Sequence, residues 1–105
     1  DLIVDADRTA RVTGGRVLLT RVTGGGCALG AAMAAFSAVT TPFDAAIAAS
    51  AVWAIASERA ASASRGPGSF AVAFLDELAA LEPSDLRSVD IETDHPDTVE
   101  AGIAR

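Results

Sequence analysis

The chain has 105 residues, half of them hydrophobic, with few aromatics, no lysine and a formal net charge of −6. That length bounds it to one domain with a modest core. Residues 1–65 carry six arginines against five acids and residues 66–105 carry two against nine. The acidity therefore belongs to the C-terminal third, and a nucleic-acid binder, which needs a basic patch with interleaved aromatics, is excluded. A single cysteine, Cys27, and a single histidine, His95, exclude an internal disulfide and a Cys- or His-based metal cluster.

Taken in chain order, "DLIV" reads as a short apolar strand, without a basic start or an apolar run of signal-peptide length. "TARV", the turn "TGG" and "RVLLT" predict a β-hairpin, with Val17, Leu18 and Leu19 suiting a strand buried on both faces. "GGGC" follows, leading into a helix expected over 28–39, with Leu29, Met33 and Phe36 as its apolar stripe and small residues between them. "TTPFD" signals a second helix: Thr41 as N-cap, Pro42 at the first position and Asp44 completing a capping box, running to about Ser62.

A third helix is expected after "RGPGS", capped by Ser69, with Phe70, Phe74, Leu78 and Leu81 on one face. "EPSD" ends it and starts a further short turn. From Val89 the pattern predicts a surface strand or turn, then a frayed acidic tail. The longest apolar stretch, Ala45 to Ala56, is shorter than the roughly 20 residues a bilayer span needs, so the chain reads as soluble and cytoplasmic.

The glycine stretch is the candidate site. Glycines before a helix N-terminus let an anion approach unpaired backbone amides, and the helix dipole favours negative charge there. Arg16 and Arg21 precede it and can add charge, and a thiol at Cys27 feels the same field. Two other readings stand beside this one: a glycine turn serving close packing alone, and Cys27 as a small buried hydrophobe. A Walker loop is excluded by the missing lysine, and a dinucleotide fingerprint fits poorly because a second helix, not a strand, follows the first.

"LLTRVTGGGCALGAAMAAFSAV", "PFDAAIAASAVWAIASERAA" and "GPGSFAVAFLDELAAL" together resemble the C-terminal half of the hydroxyethylthiazole kinase family. That family shows a leucine-rich strand, V-T-G-T-G-C, a small-residue helix and a later G-P-G-S-F. The likeness covers residues 1–85, leaving 86–105 as an acidic C-terminal tail. It implies a ribokinase-like α/β fold, here a hairpin or strand, a Gly-rich loop and three helices. It also implies an ATP- and Mg2+-dependent kinase that phosphorylates the hydroxyl of 4-methyl-5-(2-hydroxyethyl)thiazole in thiamine biosynthesis.

By the same resemblance Gly24, Gly25 and Gly26 bind the transferring phosphoryl group and the substrate hydroxyl. Cys27 occupies the catalytic position where related sugar kinases carry an aspartate base. Family members assemble as trimers, so a homo-oligomer is expected, with neither a nucleic-acid nor a membrane partner. Gly25 departs from the family pattern, which has threonine there. The thiazole pocket, the nucleotide-contacting arginine and the magnesium-linked acids are expected upstream of Asp1, so the sequence reads as incomplete for catalysis. Two rivals stand: a non-catalytic fragment or degenerate paralogue acting in oligomerisation, and another small-molecule phosphate binder.

Other residues are expected to be structural. Gly66-Pro67-Gly68 reads as a turn that starts a helix, beside the nucleotide side in the family. Trp53 reads as core or interface packing, Asp5 and Asp7 as solvent-facing, Glu58 and Arg59 as a solvated helix end, and His95 as a surface residue. With so little strand to cover three apolar helices, the chain is expected to fold poorly unless self-associated.

Overall fold

The computed structural model describes residues 1–94; His95 and the tail expected beyond it lie outside the described residues. Strand β1 (Leu2–Val4) turns back through "DADR" into strand β2 (Thr9–Val12), pairing antiparallel with Ile3 opposite Ala10. Asp5 makes that turn: its Oδ1 accepts the N–H of Asp7 at 2.8 Å and of Arg8 at 2.7 Å, an Asx-type closure. The Arg8 guanidinium pairs with Asp5 at 3.0 Å and lies 4.1 Å over the Phe43 ring, tying the hairpin to the helix behind it.

Strand β3 (Ile91–Asp94) pairs with the other edge of β2, giving the sheet order β1-β2-β3. The strand expected after Val89 is thus present. Alternation along β2 sends Ala10 and Val12 inward, both buried, and leaves Thr9 and Arg11 outward.

The hairpin expected between 9–12 and 16–20 does not form. Both edges of β2 are already occupied, so a third partner has no ladder to join. Residues Val17–Arg21 instead wind into a 3-10 helix, with the Thr20 hydroxyl donating to the Val17 carbonyl at 2.6 Å. This tighter turn lets neighbouring Leu18 and Leu19 pack against the core, which a strand would send to opposite faces. Val17 is left 75% exposed, so the two-sided burial expected of this run is not found.

Gly14 and Gly15 carry the chain into that turn with φ of +118° and +101°. At Gly14 the positive φ is what calls for glycine; a Cβ there would also lie 2.8 Å from Glu58 Oε1, the movable end of that side chain.

Three helices complete the fold: α1 (Gly25–Phe36), α2 (Pro42–Ala63) and α3 (Pro67–Ala80). Helix α2 is the hub, packed against α1, α3 and the sheet. Its start is the expected one. Thr41 Oγ1 accepts the Asp44 N–H at 3.2 Å, with Pro42 at the first helical position. Helix α3 starts at Gly66 as N-cap rather than at Ser69, which lies in its first turn. The Ser69 hydroxyl reaches back to accept the N–H groups of Arg65 at 3.0 Å and Gly66 at 3.3 Å. The turn expected from "EPSD" is a 3-10 helix over Pro83–Ser88.

The core gathers Trp53, Ala56 and Ala60 of α2 with Phe70 and Phe74 of α3, and Leu78 and Leu81 pack against it as the helical stripe predicts. Alanines let α2 approach its neighbours closely, while the aromatics supply most of the buried bulk. Several large apolar side chains stand in solvent, among them Leu2, Val4, Val72 and Leu75.

Candidate phosphate-binding site

Helix α1 begins three residues earlier than its apolar stripe predicts, inside the glycine run itself. Gly24 is the N-cap with φ of +86°, and the first intrahelical bond runs from the Ala28 N–H to the Gly24 carbonyl at 2.8 Å. The N–H groups of Gly25, Gly26 and Cys27 then have no carbonyl one turn back, and no side chain caps this end. Three consecutive amides at the positive end of a twelve-residue helix form a ready anion cradle.

The three glycines serve different needs. Gly24 supplies the left-handed turn, and a Cβ there would meet nothing within 4 Å. A Cβ at Gly26 likewise meets nothing, so that side of the turn is open. Gly25 is the tight position: a Cβ would sit 3.3 Å from the Leu19 carbonyl oxygen and 3.4 Å from Leu19 Cδ2. The threonine of the family pattern would therefore require Leu19 to shift by a few tenths of an ångström. Close packing explains Gly25 alone and leaves Gly24 and Gly26 to other causes.

Cys27 is free and exposed at the third helical position, which overturns the reading of it as a buried hydrophobe. A cavity of about 530 Å3 opens under the turn, its walls including Gly25, Gly26, Arg16, Leu29, Ser50 and Trp53. That volume is in the range of small-molecule sites. Arg16 brings a cation to the cavity beside the glycines, as expected; Arg21 is exposed in the last turn of the 3-10 helix. Ser50 Oγ is buried in this region and has no hydrogen-bond partner among the described residues.

Several contacts at the site were not read from the sequence. The Trp53 indole N–H donates to the Gly25 carbonyl at 3.2 Å. Trp53 is core packing, as expected, and also a polar anchor. Glu58 is not merely a solvated helix end, because its Oε1 accepts the Gly15 N–H at 3.1 Å. Arg59 reaches Asp85 at 2.9 Å, joining α2 to the second 3-10 helix. The hydrogen bond from Arg59, with a further one from the Glu82 backbone, lowers the Asp85 pKa below the ordinary carboxylate value.

One signal for these contacts was present. Ser50, Trp53, Ala54 and Ser57 recur at i, i+3, i+4 and i+7 along α2, and so share the face that meets the glycine turns.

An antiparallel hairpin, an uncapped glycine turn at a helix N-terminus and a cavity beside it define an α/β protein with a candidate anion site. The model of the hydroxyethylthiazole kinase family matches residues 1–84. The chain belongs to that family. It is 53% identical over 94 residues to a hydroxyethylthiazole kinase from Kineococcus radiotolerans, covering 89% of this chain and 34% of the relative. A second, from Gemmatimonas aurantiaca, is 50% identical over 86 residues, covering 82% and 31%.

Among solved structures, a hydroxyethylthiazole kinase protein from Pyrococcus horikoshii superimposes with a TM-score of 0.80 at 33% identity, over 90% of this chain and 40% of that one. The mixed α/β architecture is therefore that of the family. The chain spans about a third of the length of the curated relatives it matches.

Proposed function

We propose that this chain supplies the phosphoryl-transfer loop of an ATP-dependent kinase acting on the hydroxyl of 4-methyl-5-(2-hydroxyethyl)thiazole, in thiamine biosynthesis. The observation that carries the reading is the uncapped start of α1, with Gly24 at φ +86° and open space at Gly26, facing a cavity that Arg16 lines. Family membership supplies the substrate class.

In this reading the turn Gly24, Gly25 and Gly26 cradles the transferring phosphoryl group, whose oxygens are received by the free amides of Gly25, Gly26 and Cys27. Phosphoryl transfer asks a protein mainly for positioning and charge stabilisation, and preorganised backbone dipoles supply both. Cys27, exposed at the mouth of the turn, orients the acceptor hydroxyl or takes its proton. Arg16 offsets negative charge that develops nearby. Among the described residues no group of three or more His, Cys, Asp and Glu gathers, so this chain supplies no all-protein cage for magnesium. No step is assigned to the metal, which enters this reading only as the nucleotide's counter-ion.

Residues 1–85 form the kinase-like portion in this reading, and 86–105 an acidic C-terminal extension whose Ile91–Asp94 segment is held in the sheet. Among the described residues no helix is long and apolar enough to cross a membrane. We assign the protein to the cytoplasm, working as a trimer after its family.

The test is a chimera in which this chain replaces the matching third of the Kineococcus radiotolerans relative. ATP consumption that depends on the thiazole alcohol is expected. A folded chimera that binds phosphorylated ligands without turning over the alcohol would favour another phosphate binder and overturn the kinase reading. One that neither binds nor turns over would favour a role in assembly alone.

A further inference from the structure

We propose that Trp53 is a positioning residue for the glycine turn, its indole N–H aiming the Gly26 amide at the anion. The proposal rests on the phosphate-loop reading above. The Gly25 carbonyl and the Gly26 N–H belong to one planar trans peptide and point in opposite directions. Whatever holds the oxygen therefore aims the N–H. Glycines have the greatest backbone freedom of any residue, so a run of three leaves this peptide plane weakly determined by its own sequence. The first-turn bond of α1 also ends on this oxygen, and the Trp53 Nε1–H, 3.2 Å away, adds a donor from 28 residues along the chain that reinforces the plane where the helix is most prone to fray.

An anchor must itself be fixed. Trp53 is 9% exposed, and its ring meets Phe74 edge-on at 5.6 Å with planes at 74°. Phe74 in turn stacks on the fully buried Phe70 at 5.8 Å. Both phenylalanines belong to α3, which opens with Gly66-Pro67-Gly68-Ser69-Phe70. The two separated motifs are thus joined through one side chain. A purely apolar residue at 53 would keep the packing and lose the aim. The ring edge also lines the cavity with Gly25 and Gly26, so the anchor and the open amide border the same space.

Because Trp53 is the only tryptophan, biosynthetic replacement changes this position alone. Benzothienylalanine keeps a bicyclic ring and replaces the N–H by sulfur, whereas 5-fluorotryptophan keeps the donor. The 105-residue chain in each form, with Trp53→Phe as a genetic counterpart, is titrated with tripolyphosphate and followed by amide NMR and hydrogen exchange. In the unsubstituted and fluorinated chains the Gly26 and Cys27 amides should shift with equal affinity. In the sulfur form affinity should fall about tenfold and exchange of the Leu29 amide, which bonds the Gly25 carbonyl in the first turn of α1, should rise by a similar factor, with α2 and α3 protection unchanged.

Equal affinity and unchanged Leu29 exchange in the sulfur form would overturn the positioning role while leaving the phosphate loop intact. A rise in exchange spread over α2 and α3 would reduce Trp53 to packing and overturn it too. A Gly26 amide that tripolyphosphate does not move in the unsubstituted chain would overturn the phosphate-loop reading itself, and with it what Trp53 positions.

Discussion

Glu58 Oε1 accepts the Gly15 N–H at 3.1 Å, joining the C-terminal part of α2 to a turn 43 residues earlier in the chain. The same oxygen occupies the space where a Gly14 side chain would begin. Glu58→Ala should therefore lower stability by about 1 kcal/mol, the usual net worth of such a bond. Glu58→Gln keeps an amide oxygen and should lose about half as much. Urea unfolding of both variants checks this, and equal losses would mean that the stem of the side chain, not its acceptor, matters.

Gly24 and Gly26 separate backbone strain from ligand approach. Gly24→Ala meets no atom but must hold φ near +86°, so it should cost about 1–2 kcal/mol of stability. Gly26→Ala lies within α1 in open space and should be neutral or stabilising by up to about 1 kcal/mol. On the proposed phosphate-loop reading its methyl group stands in the path of the phosphoryl group, so tripolyphosphate affinity should nevertheless fall about tenfold or more. Thermal melts paired with titrations decide. A Gly26→Ala protein that binds as well as its parent would remove that amide from the site.

Cys27→Ala deletes an exposed thiol, so unfolding should change by less than about 0.5 kcal/mol. In the chimeric kinase the same change should lower kcat by about tenfold or more while leaving KM for ATP within about twofold. A kcat that holds steady would return Cys27 to a bystander role.

The Arg59–Asp85 pair gives the chain an acid-sensitive clasp. The Arg59 hydrogen bond holds the Asp85 carboxyl below its ordinary pKa of 3.8 in the folded state. The contribution is therefore fully present above that value and lost as pH falls through the lower folded pKa, because the unfolded chain takes up the proton more readily. Asp85→Asn should be less stable than the parent at about pH 7, with the gap closing as pH falls through the lowered Asp85 pKa. Asp5, lowered chiefly by the Asp7 backbone N–H, should act in the same sense. Melting temperatures across that range test the clasp, and a gap independent of pH would rule it out.

Local chemistry by itself determined much of this protein. Thr41-Pro42 sets the start of α2, Pro67 sets that of α3, and the Phe70–Phe74–Leu78–Leu81 spacing marks the face α3 buries. These signals act within one or two turns, so they need no knowledge of distant chain. The glycine run before a small-residue helix was visible for the same reason, as was its pairing with "GPGSF".

Tertiary structure decided the rest. Val17–Leu19 looks like a strand until β1 and β3 are seen to occupy both edges of β2, which leaves a 3-10 turn as the way to bury two adjacent leucines. Three identical glycines became a strained one, a tight one and an open one only once Leu19 and the start of α1 were in place. Trp53, legible as core, became an anchor for the Gly25 peptide because helix packing brings an indole edge to a carbonyl 28 residues away. Patterns along the chain encode periodicity and caps. Which edge is free, and which amide is held or open, depends on contacts that exist only after the elements pack.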